Sequence, residues 1–193
     1  MQSPFYFIVT PLLNKRYDNS KVIGGKEIIV STSDEDHRFS NRHAKVISVP
    51  LGYEGDIEKG DTLLVHHNVF KFYHDMRGRQ RSGRSFLKDD LFFVDEEQFF
   101  MYKKHNYGFL KTKWNAINRY CFVEPVDVED SIIKKPLQHE PLVGIMRYPN
   151  KYLKSKGVKE GDKVSFQPDS EYEFTVEGKK MYRIYDHQIT IKL

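Results

Sequence analysis

The feature that most constrains the fold of this chain is an internal repeat. Three pairs of similar segments occur in the same order, and they are 6–11 with 120–125, 57–61 with 158–162, and Gln98 with Gln188. The two members of each pair are 114, 101 and 90 residues apart. Compared with the second copy, the first copy therefore has 13 more residues between its first strand and the Gly-Asp turn at 60–61, and 11 more between that turn and its last strand. Such a repeat predicts two similar folding units. The extra loops of the first copy are where we expect function, because binding residues concentrate on loops.

The sequence predicts an all-β fold. Short runs rich in β-branched and aromatic residues are bounded by Gly, Asp, Pro or Asn, which is typical of strands. The predicted strands are 5–11, 45–50, 62–67, 91–94 and 98–102 in the first copy, and 119–125, 141–147, 163–167, 171–176, 181–185 and 188–192 in the second. Residues 177–179 predict a hairpin turn. No long apolar helical period is present, so we expect small barrels or sandwiches with little helix.

Composition narrows the class of protein. The single cysteine, Cys121, excludes an intrachain disulfide framework and favours a reducing cytoplasm. No run approaches the roughly 18 apolar residues of a membrane span. The net charge of +4 is too evenly divided along the chain to indicate a polyanion partner for the whole molecule. We therefore expect a cytoplasmic protein with no membrane contact, for which nucleic acid is not the favoured partner.

The ordered segments resemble the GroES-type (chaperonin-10) co-chaperonins. In the second copy the resemblance rests on residues 157–166, 172–174 and 182–189, which include the Gly-Asp turn, a hairpin and a terminal strand. In the first copy it rests on Gly24-Gly25, the apolar run at 28–30, and residues 42–49. The likeness covers most of the chain as two copies. It is greatest to divergent forms encoded by tailed bacteriophages, to which residues 66–70 and 75–79 are also similar.

The resemblance implies two tandem GroES-like β-barrels. The first is residues 1–104, with a long mobile loop at 18–41 and an Arg-rich insertion at 71–88. A linker at 105–118 precedes the second barrel, 119–193, whose loop is shorter.

The resemblance also implies a function. GroES-like subunits form a ring, usually of seven, which caps a chaperonin barrel and assists protein folding. Each subunit places a short apolar tripeptide of its loop into an apolar groove of the chaperonin. Here the chaperonin-binding residues would be Ile28, Ile29 and Val30, with Gly24 and Gly25 as pivots. The implied partners are a bacterial GroEL-type chaperonin and further copies of this chain, in the host cytoplasm if a phage encodes it, with a capsid protein as one kind of client.

The residues of this loop favour the same role without fixing it. A connection of about 24 residues is longer than ordinary ones, and such loops are usually functional. An apolar trio in a polar loop calls for a partner surface, because each buried side chain contributes roughly 1.5–3 kcal/mol. The alternative is that residues 27–31 form an edge strand of the barrel. The second copy lacks the Gly pair, and its Ile132-Ile133 precedes two lysines and a proline, so we do not expect it to bind a chaperonin.

A second candidate site is the cluster of arginines in the first copy, Arg77, Arg79, Arg81 and Arg84. It could contact a polyanion or an assembly partner. The favoured interpretation is a flexible, solvated hairpin whose charge is balanced by the acidic residues at 89–90 and 96–97.

Other functions remain as alternatives. The chain could be a structural or assembly protein of a phage particle built on the same barrels, or a nucleic-acid-binding β-barrel with an aromatic stacking face. We find no phosphate-binding loop and no nucleophile-base arrangement, so we expect neither an enzyme nor a cofactor. His66 and His67 should point to opposite faces of a strand and could not share a metal, so no metal site is expected.

Overall fold

The computed structural model describes residues 1–17, 20–23, 26–29, 40–105, 112–127 and 139–193, with 20–23 and 26–29 described by their backbone alone. The chain divides into two compact units, Met1–Lys113 and Trp114–Leu193. The fold is all-β, as predicted; the described residues also contain one five-residue α-helix and the short 3-10 turns Leu12–Asn14 and Asp186–Gln188. In that part of the chain, no helix is long and apolar enough to cross a membrane.

The described part of unit 1 contains ten strands. They are β1 (Phe7–Pro11), β2 (Ser20–Ile23), β3 (Lys26–Ile29), β4 (His43–Ser48), β5 (Thr62–Val65), β6 (Phe72–His74), β7 (Gln80–Ser82), β8 (Phe86–Lys88), β9 (Leu91–Val94) and β10 (Phe99–Lys103). Unit 2 contains β11 (Trp114–Ala116), β12 (Tyr120–Asp127), β13 (His139–Tyr148), α1 (Lys151–Ser155), β14 (Lys163–Phe166), β15 (Tyr172–Val176), β16 (Lys179–Tyr185) and β17 (Ile189–Lys192).

The two units share one sheet topology. In unit 1 the strands follow the order β10-β5-β4-β1-β9-β8, and in unit 2 the order is β17-β14-β13-β12-β16-β15. Each strand of one series therefore has its counterpart at the same place in the other. The pairs β2–β3 and β6–β7 form two further two-stranded sheets. Both occur in unit 1, within its two longer connections.

The repeat extends to the register of the strands. Val9 pairs with Val46 directly after a bulge in β1, and Val123 pairs with Met146 directly after a bulge in β12. The amide of Val46 donates to Asp61 and that of Met146 donates to Asp162, both at 2.8 Å. In return, Gly60 donates to Val46 and Gly161 to Met146, again at 2.8 Å. The similarity read from the sequence thus corresponds to the same hydrogen bonds in both units.

Local sequence explains how the strands are joined and buried. The turn between β15 and β16 is a two-residue hairpin in which Glu177 and Gly178 both have positive φ, 52° and 79°. This is the primed turn geometry that matches strand twist, and it confirms the prediction for this segment. In unit 2 a cluster of buried residues forms the core, and it contains Cys121, Val123, Met146, Leu153, Val158, Val164, Phe166 and Ile184. Trp114, predicted to lie in a linker, begins β11 and is buried.

The two units differ in their connections. Between β1 and β4, unit 1 has residues 12–42, which we call the first insertion and which contains β2 and β3. Between β5 and β9 it has residues 66–90, the second insertion, which contains β6, β7 and β8. In unit 2 the first equivalent connection is residues 128–138, which lie outside the described residues. The second joins β14 to β16 and contains only β15, which residues 167–171 precede. Every candidate site residue from the sequence lies in these two insertions.

Candidate functional site

The base of the first insertion is held by a set of hydrogen bonds that we call the stem, formed by residues 12–17 and 40–42. The side-chain amide of Asn41 donates to the carbonyls of Leu12 at 2.9 Å and Lys15 at 2.7 Å. The backbone amide of Asn41 donates to Arg16 at 2.9 Å, and Tyr17 forms a β-bridge with Ser40. Both ends of the insertion are therefore fixed side by side, and the intervening chain leaves from one defined point.

Part of the predicted mobile loop is a β-hairpin. Strands β2 and β3 pair with Ser20 opposite Ile29 and Lys21 opposite Ile28. Ile28 and Ile29 thus lie in a strand of a separate two-stranded sheet, and not in a strand of the large sheet of unit 1. The other three candidates for chaperonin binding, Gly24, Gly25 and Val30, lie outside the described residues.

The stem is bonded to the second insertion. The ring of Tyr17 stacks on that of Phe72, with centroids 5.9 Å apart and planes 13° apart. The Tyr17 hydroxyl accepts a hydrogen bond from the backbone amide of Phe72 at 2.7 Å. Ser40 donates from its hydroxyl to the carbonyl of His67 at 3.2 Å. The two insertions that distinguish unit 1 from unit 2 are therefore joined at their bases.

Arg16 strengthens this junction. Its Nε donates to the Phe70 carbonyl at 2.9 Å and its Nη1 to the Ser82 hydroxyl at 3.2 Å. Its guanidinium carbon lies 3.5 Å from the centroid of the Phe72 ring, in cation–π geometry. Burial lowers the pKa of Arg16, against the opposing influence of Tyr17 and Asp90. The guanidinium of Arg16 therefore binds a backbone carbonyl, a side-chain hydroxyl and an aromatic ring of the second insertion at the same time.

The predicted Arg-rich segment is a hairpin organised by Asp75. Strands β6 and β7 pair from Phe72 opposite Ser82 to His74 opposite Gln80. The Asp75 carboxylate accepts from the backbone amides of Arg77 at 2.9 Å and Arg79 at 3.0 Å. It also pairs with the side chains of Arg79 at 3.0 Å and Arg81 at 3.3 Å. These bonds, led by that from the Arg79 amide, lower the pKa of Asp75.

Asp75 is a further counter-charge, which sequence analysis did not identify. The acidic residues at 89–90 and 96–97 were expected to balance the arginines, and Asp75 adds direct ion pairs with Arg79 and Arg81. The turn sequence around Asp75 carried a signal for this role. An aspartate followed three residues later by Gly78, with φ of 71°, is typical of a turn in which the carboxylate bonds the amides that follow.

A cleft of about 700 Å³ lies beside the hairpin. Its lining residues include Asn68, Lys71, Phe72, Tyr73, Ser82 and Arg84. It therefore combines two cations, amide and hydroxyl groups, and aromatic rings. Arg84 lines this cleft, whereas Arg77, Arg79 and Arg81 belong to the hairpin and are exposed. The four arginines are thus not one site: the side chains of Arg79 and Arg81 pair with Asp75, and Arg84 faces a cleft.

The paired histidines differ from their predicted arrangement. Strand β5 ends at Val65, so His66 and His67 lie in the turn that follows it, and not on opposite faces of a strand. Their rings are 4.1 Å apart between centroids. Among the described residues, no group of three or more His, Cys, Asp or Glu side chains is placed to hold a metal ion.

Comparison of the chain with models of protein families and with curated protein sequences finds no match. The candidate site therefore rests on the geometry of this chain. Sequence analysis did not identify three residues of the candidate site, Arg16, Tyr17 and Ser40. Their hydrogen-bond partners are 54, 55 and 27 residues away in the sequence. No local pattern indicates contacts across such separations.

Proposed function

We propose that this chain is a co-chaperonin, which forms an oligomeric lid on a bacterial GroEL-type chaperonin and assists protein folding. The observation that carries the proposal is the first insertion: a long segment containing Ile28 and Ile29, present in one of two otherwise matching units and fixed at its base by the stem. The resemblance to GroES-type proteins supplies the identity of the partner. ATP use would belong to the chaperonin.

The stem supports this proposal on energetic grounds. Burying two or three aliphatic side chains in a groove contributes roughly 1.5–3 kcal/mol each. Ordering the backbone that carries them opposes binding by about 1–2 kcal/mol per fixed residue. A hairpin leaving a fixed base has fewer residues to order than a free loop of the same length. The net affinity of one insertion is still weak, and a ring of identical subunits would raise it through effective concentration. A homo-oligomer is therefore part of the proposal.

The second insertion favours a competing function as a structural or assembly protein of a phage particle. Its exposed arginines on a hairpin bonded to the scaffold offer a rigid cationic surface for another protein. That function predicts the chain in purified particles in stoichiometric amount, and chaperonin binding that is absent or independent of Ile28 and Ile29.

The deciding experiment is complex formation with a GroEL-type chaperonin in ATP, in ADP and without nucleotide, followed by size-exclusion chromatography. We expect nucleotide-dependent co-elution of the wild-type chain. The double variant Ile28→Ser/Ile29→Ser should lose it, because two apolar contacts per subunit are removed at every position of the ring.

The chain provides a matched control in its second copy. The variant Ile132→Ser/Ile133→Ser makes the same chemical change in the equivalent connection, and it should bind as the wild type does. Equal loss in both variants would indicate a general effect of the substitutions and not a contact of the first insertion. Failure of the wild-type chain to bind any chaperonin in any nucleotide state would overturn the proposed function.

A further inference from the structure

Positive charge is concentrated in one part of this molecule. The second insertion, residues 66–90, contains six basic and three acidic side chains, whereas the rest of the chain contains 25 basic and 24 acidic side chains. The second insertion therefore carries +3 of the net charge of +4 of the whole chain. A local field of this kind attracts and orients anionic groups, although it does not itself choose their kind.

The cleft beside the hairpin contains two cations that form no ion pair with another described residue. The ion pairs within the described part of this insertion join Asp75 to Arg79 and Arg81, and they involve neither Lys71 nor Arg84. These two cations line the cleft together with the Asn68 side chain and the half-exposed ring of Tyr73. Cations that face a concave surface with neutral hydrogen-bonding groups can bind a carboxylate or a phosphate without first breaking an existing ion pair.

The aromatic residues beside the cleft favour one of two kinds of anionic partner, an acidic segment of protein, over the other, a single-stranded nucleic acid. Proteins that bind single-stranded nucleic acid stack successive bases on exposed ring faces. Phe72 already packs with two side chains of the stem, since Tyr17 stacks on its ring at 5.9 Å and the Arg16 guanidinium lies 3.5 Å from its centroid. Tyr73 remains as the exposed ring in the cleft. One ring and two cations suit a short segment of carboxylates and small side chains better than a run of stacked bases.

We propose that this cleft binds an acidic, extended segment of another protein, with Lys71 and Arg84 contacting its carboxylates and Tyr73 packing against its side chains. The proposal involves neither Ile28 nor Ile29, and it does not depend on chaperonin binding. It would give the first copy a second contact, for a client or an assembly partner, that the second copy lacks.

The test uses the full-length chain alone and two fluorescein-labelled probes, a peptide of glutamate and serine and an oligothymidylate of equal net charge. Binding is followed by fluorescence anisotropy at increasing salt. We expect the peptide to bind, and added salt to weaken its binding. The double variant Lys71→Gln/Arg84→Gln should raise the peptide Kd by about tenfold or more, the usual effect of removing charge-assisted hydrogen bonds.

The matched control is Arg77→Gln/Lys88→Gln, which removes two cations of the same insertion that do not line the cleft. It should change the peptide Kd by less than about twofold. All variants are first checked by circular dichroism for the wild-type fold. Equal weakening by both double variants would show an effect of net charge alone and overturn the proposal. So would absence of peptide binding, or tighter binding of oligothymidylate than of peptide.

Discussion

At the scale of single residues, the repeat preserves chemistry as well as shape. Asp61 and Asp162 stand at the same place in the two units, and each accepts a backbone hydrogen bond through Oδ2, from Glu58 at 2.9 Å and from Lys159 at 2.7 Å. Gly60 and Gly161 precede them with φ of 98° and 94°, which an L side chain rarely adopts. Each Gly-Asp pair thus closes the turn before a central strand, and the repeated motif is explained by the turn it forms.

The surroundings of these two carboxylates differ. Asp61 is buried, accepts from the His105 amide at 2.8 Å and pairs with Lys104 at 3.3 Å. Asp162 is more exposed and pairs with Lys192 of the last strand at 2.7 Å. The Lys192 hydrogen bond, followed by that from the Lys159 amide, lowers the pKa of Asp162. Asp162 therefore links the turn to the last strand through its charged form.

A pH-dependent stability follows for Asp162→Asn. Because the folded pKa is depressed, the stabilisation by Asp162 is present above its unfolded value of about 3.9 and is lost as pH falls through the folded value. We expect the variant to be less stable than wild type at pH 7 and equally stable once the pH is below both values. Urea unfolding across pH, followed by Trp114 fluorescence, measures the difference. Asp169→Asn, at an exposed turn position, is the control, and a difference that persists unchanged at acid pH would contradict the prediction.

At the scale of elements, the sequence predicts the shared sheets well. Each predicted strand has its counterpart, from β1 at residues 7–11 to β17 at residues 189–192, with ends displaced by a few residues. These strands lie in the two large sheets, each of which buries a face. Their sequences therefore either alternate between apolar and polar residues or form apolar runs. β12 is an example, because its first four residues are all buried. A hydrophobic pattern in the sequence predicts a strand when burial of that strand's face requires apolar residues at regular positions.

The elements that were missed lack this signal. Strands β6, β7 and β8 have three residues each and are mostly exposed, so no buried face imposes an alternation on their sequences. Helix α1 is too short to show a helical period in its sequence. Its start is fixed by contacts of the capping residue with distant parts of the chain. Its cap, Asn150, accepts from the Leu153 amide while its own side-chain amide donates to Asn118 and Asp186. Contacts of this kind depend on parts of the chain that local sequence does not bring together.

For the candidate site, the sequence predicted two longer connections in the first copy, because loop length is a local property. It also singled out residues 28–30 and the four arginines as candidates, because apolar and charged runs are local as well. It did not reveal the Asp75 ion pairs or the junction of the insertions through Arg16 and Tyr17. These contacts follow from how the elements pack, and they change the interpretation of the site from two separate loops to two insertions joined at their bases.

The junction predicts an effect of Tyr17→Phe. The substitution keeps the stacked ring and removes the acceptor for the Phe72 amide, which is a loss of about 1–2 kcal/mol for a partly buried hydrogen bond. Hydrogen exchange in β6 and β7 should therefore be faster by about tenfold, since local opening of this hairpin becomes easier. Mass spectrometry of peptides covering residues 66–90 measures the change. Tyr73→Phe, in the same strand as Phe72, should leave exchange unaltered, and equal exchange in wild type and Tyr17→Phe would disprove the junction.

At the scale of the whole molecule, each unit has its own core. Unit 1 buries aromatic rings that include Phe7, Phe70, Phe92 and Phe99. Phe70 belongs to the second insertion and packs edge-on against Phe92 at 4.8 Å between centroids, so this insertion is part of the core of unit 1. Unit 2 packs Phe166 with aliphatic residues and Cys121 around its central strand, and it also buries Phe122 and Phe174. Each unit therefore has a buried core of its own, made of aromatic and aliphatic residues.

Cys121 allows the independence of the two cores to be measured. Its thiol is fully buried, and burial, with a further contribution from Asp186, raises its pKa to about 12. Because the thiolate is the reactive form, a thiol reagent should modify Cys121 only when unit 2 opens. Met146→Ala removes a side chain from the same core, which typically costs about 2–5 kcal/mol, so it should speed modification by tenfold or more.

Phe99→Ala makes a comparable cavity in the core of unit 1, where large-to-small substitutions of this kind typically cost about 3–5 kcal/mol. If the units unfold separately, this variant should leave the rate of Cys121 modification at its wild-type value while tyrosine fluorescence reports a destabilised unit 1. Ellman's reagent in native buffer, with the reagent in excess, measures the rate in all three proteins. Equal acceleration by Phe99→Ala and Met146→Ala would show that the units open together, and the repeat would then be a single cooperative fold.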